Sequence, residues 1–199
     1  MPTPRIRMAK EADGAALLAV YLPYMETTIT FEYTAPTQEE FAGRVRDTLR
    51  DYPYLLCEEE GRVLGYAYAH RLKSRAAYQW DAELSVYLSR EAYGRGIGRA
   101  LYGALMDLLE RQGVRNVYGV ITADNERSIR FHRSMGFTDA GVHHKTGFKN
   151  GSWLDVVWLE KRLGGEEPPV PVRPIGQLGE ETVASLLRPW QEQLEKKNG

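Results

Sequence analysis

The sequence predicts an α/β (α+β) domain, and three observations predict it. Residues 54–89 read as strands that turn back on one another. The stretch "SVYLSREAYGRGIGRAL" (85–101) passes from strand-like alternation to helical repetition across three glycines. At residue 164 the composition shifts to proline and glycine. A chain of 199 residues can bury a core without covalent staples.

Taken in order, "RIRMA" (5–9) is expected to be a strand, followed by a helix carrying Leu17, Val20, Tyr21 and Tyr24 on one face. Thr37 with Glu40 three residues on forms a capping-box pattern, and Phe41, Val45 and Leu49 continue it as an amphipathic helix. "YPYLLCEEEGRVLGYAYAHRL" predicts two strands turned near Gly61, and "AAYQWDAELSVYLS" a longer third, together an antiparallel meander. Leu101, Ala104, Leu105, Leu108 and Leu109 mark the helix after the glycines, closed near Gly113. "VRNVYGVIT" predicts a strand, "NERSIRFHRSMG" a helix ending at Gly136, and "FTDAGVHHKTGF" with "SWLDVVWLEKRL" a final strand pair. Residues 1–163 are read as the catalytic domain. Residues 164–199 are read as a Pro/Gly-rich linker and a helical tail broken at Pro189, whose Val183, Leu186, Leu187 and Trp190 need cover.

Bulk properties narrow the function. Lys plus Arg total 26 against 27 Asp plus Glu, a net charge of −1, so the chain lacks the broad positive field of nonspecific nucleic-acid binding. Cys57 is the single cysteine, which excludes an internal disulfide and a thiolate-rich zinc site. No apolar run approaches the length of a signal peptide or membrane span, so the expectation is a cytoplasmic protein with neither a nucleic-acid nor a membrane partner. His143 and His144 have no acidic residue at ligand spacing, and no metal is expected.

A strand that enters a glycine turn and then a helix directs unpaired N–H groups and the positive end of the helix dipole at one point, which suits a phosphate. Gly94, Gly96 and Gly98 would let it approach the main chain, with Arg95 and Arg99 interleaved. A dinucleotide fingerprint would want glycine or alanine where Arg99 stands, and a P-loop would want a Gly-Lys-Ser/Thr ending that is absent. The stretch resembles the pyrophosphate signature of the GNAT acyltransferases, Gln/Arg-x-x-Gly-x-Gly/Ala, with Gly96 and Gly98 in the glycine places and Tyr93 at the first position. Three further stretches, "ETTITFEYTAP", "LKSRAAYQWDAELSVYLS" and "GFKNGSWLDVVW", resemble the phosphinothricin and methionine sulfone or sulfoximine acetyltransferase branch.

The resemblance, over about residues 5–163, implies a mixed, mostly antiparallel sheet splayed after its fourth strand, with flanking helices. Acetyl-CoA would be the co-substrate, its pantetheine arm bonding Val86, Tyr87 and Leu88 like an added strand. Its phosphates would lie on the turn Tyr93, Gly94, Arg95, Gly96, Ile97, Gly98 and Arg99. Asn125, by sequence a helix N-cap, matches a residue that contacts the arm. Glu83, by alternation alone a solvated strand carboxylate on a polar face with Asp81, Ser85 and Tyr87, matches the family base. His132, by pattern a partly exposed helix histidine, matches a second catalytic candidate.

Phe31, Lys73, Arg75, Tyr78 and Ser85 are the candidate acceptor contacts, with Arg75 matched to the acceptor carboxylate and Phe31 to a lid over it. The loop cations read equally well as solvated surface. The implied reaction is direct acetyl transfer to the α-amino group of a small amino acid analogue in a ternary complex, by a homodimer. Acetylation of another small amine and a non-enzymatic acyl-CoA-binding module are the alternatives. Which of 12 tyrosines would protonate the leaving thiolate is open.

Overall fold

The computed structural model describes residues 3–199 and contains one seven-stranded sheet. Its strands are β1 (Arg5–Met8), β2 (Tyr54–Glu59), β3 (Arg62–Arg71), β4 (Asp81–Leu88), β5 (Asn116–Thr122), β6 (Thr138–Lys149) and β7 (Ser152–Arg162). Their order is β1-β2-β3-β4-β5-β7-β6, and every pairing is antiparallel except β4 with β5. The helices are α1 (Gly14–Met25), α2 (Gln38–Thr48), α3 (Ile97–Gln112), α4 (Glu126–Ser134) and α5 (Glu180–Asn198). The expected mixed fold with flanking helices is present.

Both faces of the sheet are covered, which explains why two cores form. On one face, Leu17 and Tyr21 of α1 and Phe41 and Val45 of α2 pack on Tyr54, Leu56 and Tyr66. The capping box is made: Thr37 accepts from the Glu40 N–H at 3.2 Å while Glu40 accepts from the Thr37 N–H at 2.7 Å. On the other face, the leucines of α3 join Leu55, Ala67, Ala82 and Leu84. Apolar side chains on α3 at helical spacing are removed from water together, the dominant favourable contribution to folding.

Three expectations are corrected. The third meander strand begins only at Asp81, because Ala76–Tyr78 closes a 3₁₀ turn in which the Tyr78 N–H donates to the Arg75 carbonyl at 3.0 Å. The second face of β4 is not uniformly polar: Tyr87 packs edge-on against Tyr21 and Tyr24, each at 5.1 Å between ring centres, because α1 covers it. The tail helix is not broken. α5 runs through Pro189, whose position is exposed, so the carbonyl one turn earlier that loses its partner faces water.

The segment after 163 is pinned across the molecule. The Trp80 Nε1–H donates to the Val170 carbonyl at 2.7 Å, and the Gln112 amide donates to the Asp51 and Arg173 carbonyls, both at 2.7 Å. Ile175, Leu178 and Leu194 enter the same core cluster as α3. Trp190 lies on Gly103 of α3, where an added Cβ would stand 2.2 Å from its ring, and its Nε1–H donates to Asp107 at 2.6 Å. Among the described residues, no helix is long and apolar enough to cross a membrane.

Candidate active site

β4 and β5 run side by side only from Asp81 to Glu83, against Asn116 to Tyr118. Beyond that, β5 continues along β7 as far as Thr122, while Leu84–Leu88 leave it. The divergence opens a cleft of about 320 Å³. Ser85, Val86, Tyr87 and Leu88 form one wall, and Val120 and Ile121 of β5 stand opposite. The Leu88 N–H and C=O that β5 would have paired are met by the Tyr24 hydroxyl, which accepts from the first at 3.1 Å and donates to the second at 2.6 Å. Burial pushes the Tyr24 phenol well above the usual tyrosine range.

The glycine turn closes one end. Gly94 and Gly96 have φ of +77° and +83°, a left-handed backbone that favours glycine. Gly96 is the N-cap of α3 and no side chain caps it, so the first N–H groups of the helix are left for another acceptor. Gly98 lies close to Leu88: a Cβ there would be 3.1 Å from its Cδ1. Ile97 points away into the core.

The arginines divide. Arg95 turns from the cleft into a fork on Glu59, at 3.1 and 2.5 Å, with its Nε–H donating to Asn198 at 3.0 Å. Arg99 stays at the cleft, donating to the Ser134 Oγ at 3.0 Å. Tyr93 and Asn125 also line it. The Tyr93 hydroxyl is 3.2 Å from that of Tyr24, and the Arg127 guanidinium stacks 3.5 Å above the Tyr93 ring. Asn125 caps α4 by accepting from the Ser128 N–H at 3.2 Å.

His132 is buried, not partly exposed. Its ring fits over Gly119, where a Cβ would stand 2.6 Å from Cδ2, and is bordered by Tyr102, Phe131 and Phe137. Nδ1 lies 2.8 Å from the Ser128 carbonyl, which can only accept, so Nδ1 carries the hydrogen. Burial lowers the His132 pKa, and the neutral ring accepts the Tyr102 hydroxyl at Nε2, 2.7 Å away. The Tyr102 phenol is pushed up chiefly by burial and secondarily by the charge of Glu83.

Glu83 does not itself line the cleft but directly precedes Leu84 and Ser85, the first β4 residues that do. It is half-buried, and its carboxylate lies 3.5 Å from the Nε2 of His70 across the β3–β4 ladder. Phe31 sits outside the cleft against Gly147 of β6, where a Cβ would meet its ring at 2.2 Å. Its loop is tied down by buried Lys149, which donates to the Thr30 carbonyl at 2.6 Å. Lys73 lies over the Tyr78 ring at 4.8 Å, and both are exposed together with Arg75, away from the cleft.

Of the candidate acceptor contacts, only Ser85 lines the cleft. Sequence reasoning missed Tyr24, Tyr102 and Arg127. Only Arg127, a cation two residues beyond the Asn125 cap, had a local signal. His144 pairs with Asp155 across the final hairpin at 2.9 Å, an acidic neighbour that linear spacing did not predict. No group of three ligating side chains forms among the described residues.

The acetyltransferase (GNAT) domain family matches residues 6–158 of this chain. A phosphinothricin N-acetyltransferase of Streptomyces viridochromogenes is 37% identical over 174 residues, 87% of this chain and 95% of that one. The L-methionine sulfoximine/L-methionine sulfone acetyltransferase of Salmonella typhimurium is 33% identical over 166 residues, 82% of this chain and 97% of that one. The crystal structure of a GNAT superfamily phosphinothricin acetyltransferase from Sinorhizobium meliloti in complex with AcCoA has a TM-score of 0.79 and 36% identity, covering 85% of this chain and 94% of that one. A sheet split beside an uncapped, glycine-led helix and this extent of similarity agree: the chain belongs to the GNAT family of acetyltransferases.

Proposed function

We propose that the protein transfers the acetyl group of acetyl-CoA to the α-amino group of a small amino acid analogue, of the phosphinothricin or methionine sulfone and sulfoximine type, by direct transfer in a ternary complex. The observation that carries the reading is the cleft between β4 and β5, which ends on the uncapped start of α3. The named relatives and the AcCoA complex of the Sinorhizobium meliloti protein support it.

Acetyl-CoA supplies an acetyl thioester. The chain's own groups fit it: free N–H groups at Gly96 and beyond suit pyrophosphate, and the β4 edge suits an extended amide-bearing arm. The Tyr24 hydroxyl, satisfying both Leu88 backbone groups, stands where such an arm would bond.

Glu83 acts as the general base, taking a proton from the acceptor ammonium directly or through one water. This frees the nitrogen lone pair so that the C–N bond forms as the C–S bond breaks, and the second proton that the nitrogen sheds on becoming an amide is the one taken up by the leaving sulfur. His132 does not share that part in this reading, since its only lone pair is held by Tyr102.

Thiol release from acetyl-CoA, measured across acceptors, tests the proposal. Turnover is expected on phosphinothricin and methionine sulfone. Arg75 stands away from the cleft, so a part in acceptor recognition requires its exposed loop to reach the bound acceptor. In that case Arg75→Ala raises KM for both acceptors on the order of tenfold while sparing amines without a carboxylate. Preference of the wild type for a carboxylate-free amine would overturn the amino acid assignment. An equal effect of Arg75→Ala on both acceptor types would remove Arg75 from acceptor recognition.

A further inference from the structure

We infer that the carboxyl-terminal helix α5 is part of the phosphate site, and that Lys197 on it is a further cofactor-binding residue, directed at the pyrophosphate of coenzyme A. The inference rests on the proposed use of acetyl-CoA. It concerns a segment outside the family match, which ends at residue 158.

α5 lies along α3 in the opposite direction. Trp190 is fixed against Gly103 and Asp107 midway, and the last turn of α5 arrives at the first turn of α3. Gln191 ties the helix to β1, accepting from the Ile6 N–H at 2.9 Å and donating to the Pro4 carbonyl at 3.0 Å. Asn198 grips the glycine turn itself, donating to the Arg95 carbonyl at 3.1 Å and accepting from the Arg95 side chain at 3.0 Å. The neighbouring Lys197 therefore has little freedom at its backbone. Its side chain lies over Gly96: a Cβ on that glycine would be 2.9 Å from the Lys197 Cδ and 3.5 Å from its Nζ.

The charges at the turn give Lys197 its role. Arg95, the cation embedded in the glycine motif, is neutralised by its fork on Glu59. Lys197 lines the cleft, and among the described residues its ammonium forms no hydrogen bond or ion pair. A cation held without a counter-ion, above N–H groups that lack acceptors, is arranged for an anion shared between them. The pyrophosphate is the part of the cofactor that belongs beside Gly96, so the lysine charge adds to the main-chain donors there.

The test uses the full chain. Coenzyme A binding is measured by calorimetry at low salt for wild type, Lys197→Met, which keeps an unbranched apolar stem, and Lys197→Arg, which keeps the charge. Lys197→Met is expected to bind CoA and 3′-dephospho-CoA about tenfold more weakly, with a shallower salt dependence, while pantetheine binding stays unchanged and Lys197→Arg recovers most of the loss. Melting of the ligand-free variants should match wild type, which separates lost phosphate contact from lost folding. Equal or tighter CoA binding by Lys197→Met would overturn the inference, the tighter case making the lysine an obstruction in the cradle. If wild type itself fails to bind CoA, the acetyl-CoA reading falls and this inference falls with it.

Discussion

The two ends of the cleft are built differently. The end proposed for the phosphates is mostly main chain: the left-handed Gly94 and Gly96 and the uncapped start of α3. Its support is buried, since α3 carries the largest share of the core. The residues proposed for the acceptor end lie on separate elements, and of the candidate acceptor contacts only Ser85 lines the cleft. Glu83 is half-buried on β4, Phe31 lies in the segment between α1 and α2 and packs against Gly147 of β6, and the loop bearing Lys73, Arg75 and Tyr78 is exposed, away from the cleft. In the proposed reading, one end meets a constant chemical group with rigid donors. In the same reading the other meets groups that differ with the acceptor, and an exposed loop such as 72–80 can vary with them. Substitutions should separate the two ends by which constant they move.

The largest expected effect lies at the acceptor end. Glu83→Gln should lower kcat by ~10² or more, because removing a general base costs about 10²–10⁴ in rate, while CoA affinity stays near wild type. The deficit should narrow at high pH, where more of the acceptor amine is already unprotonated. Full turnover by this variant near neutrality would leave Glu83 a strand carboxylate beside His70. The next effect lies at the phosphate end. Gly96→Val forces a β-branched residue into a left-handed backbone and sets its Cβ against the Lys197 stem. CoA binding should weaken ~10-fold or more, equivalent to about 1.4 kcal/mol, measured by calorimetry on protein verified as folded. Unchanged affinity would remove the turn from phosphate recognition.

The same contrast explains what could be read from the sequence. The glycine turn was legible because three glycines at a strand–helix junction specify backbone conformation locally, and α3 was legible through its leucine spacing. The Thr37–Glu40 cap was legible for the same reason. The burial of His132 was not, because it depends on the absence of a side chain at Gly119 on another element. Nor was the neutralisation of Arg95, whose partner Glu59 lies on a distant strand, or the docking of α5, which needs the flat surface at Gly103 to accept Trp190. The Pro189 signal misled because a proline costs a helix least where the orphaned carbonyl faces water. Local conformation leaves a local trace, whereas complementarity between elements does not.

The smallest expected effect concerns His132, buried at the side of the cleft. His132 is neutral, its Nδ1–H on the Ser128 carbonyl and its Nε2 accepting from Tyr102, and burial holds its pKa below the ordinary 6.5. As pH falls through about 6.5, the unfolded chain takes up a proton at this residue that the folded chain refuses, so acid favours unfolding. The contribution to stability is complete above the ordinary histidine value and is lost progressively as pH falls from there toward the lower folded value. His132→Gln keeps an acceptor for Tyr102 but has nothing to titrate. At pH 7.5 it should be less stable than wild type by about 1 kcal/mol, from imperfect packing over Gly119 and a poorer hydrogen bond. Urea titrations should show that gap closing toward pH 5.5, because only wild type loses stability at this position. Parallel stability profiles would mean that the ring takes a proton while folded. A loss of turnover as large as that of Glu83→Gln, with CoA affinity unchanged and the same narrowing of the deficit at high pH, would give His132 a part in proton transfer.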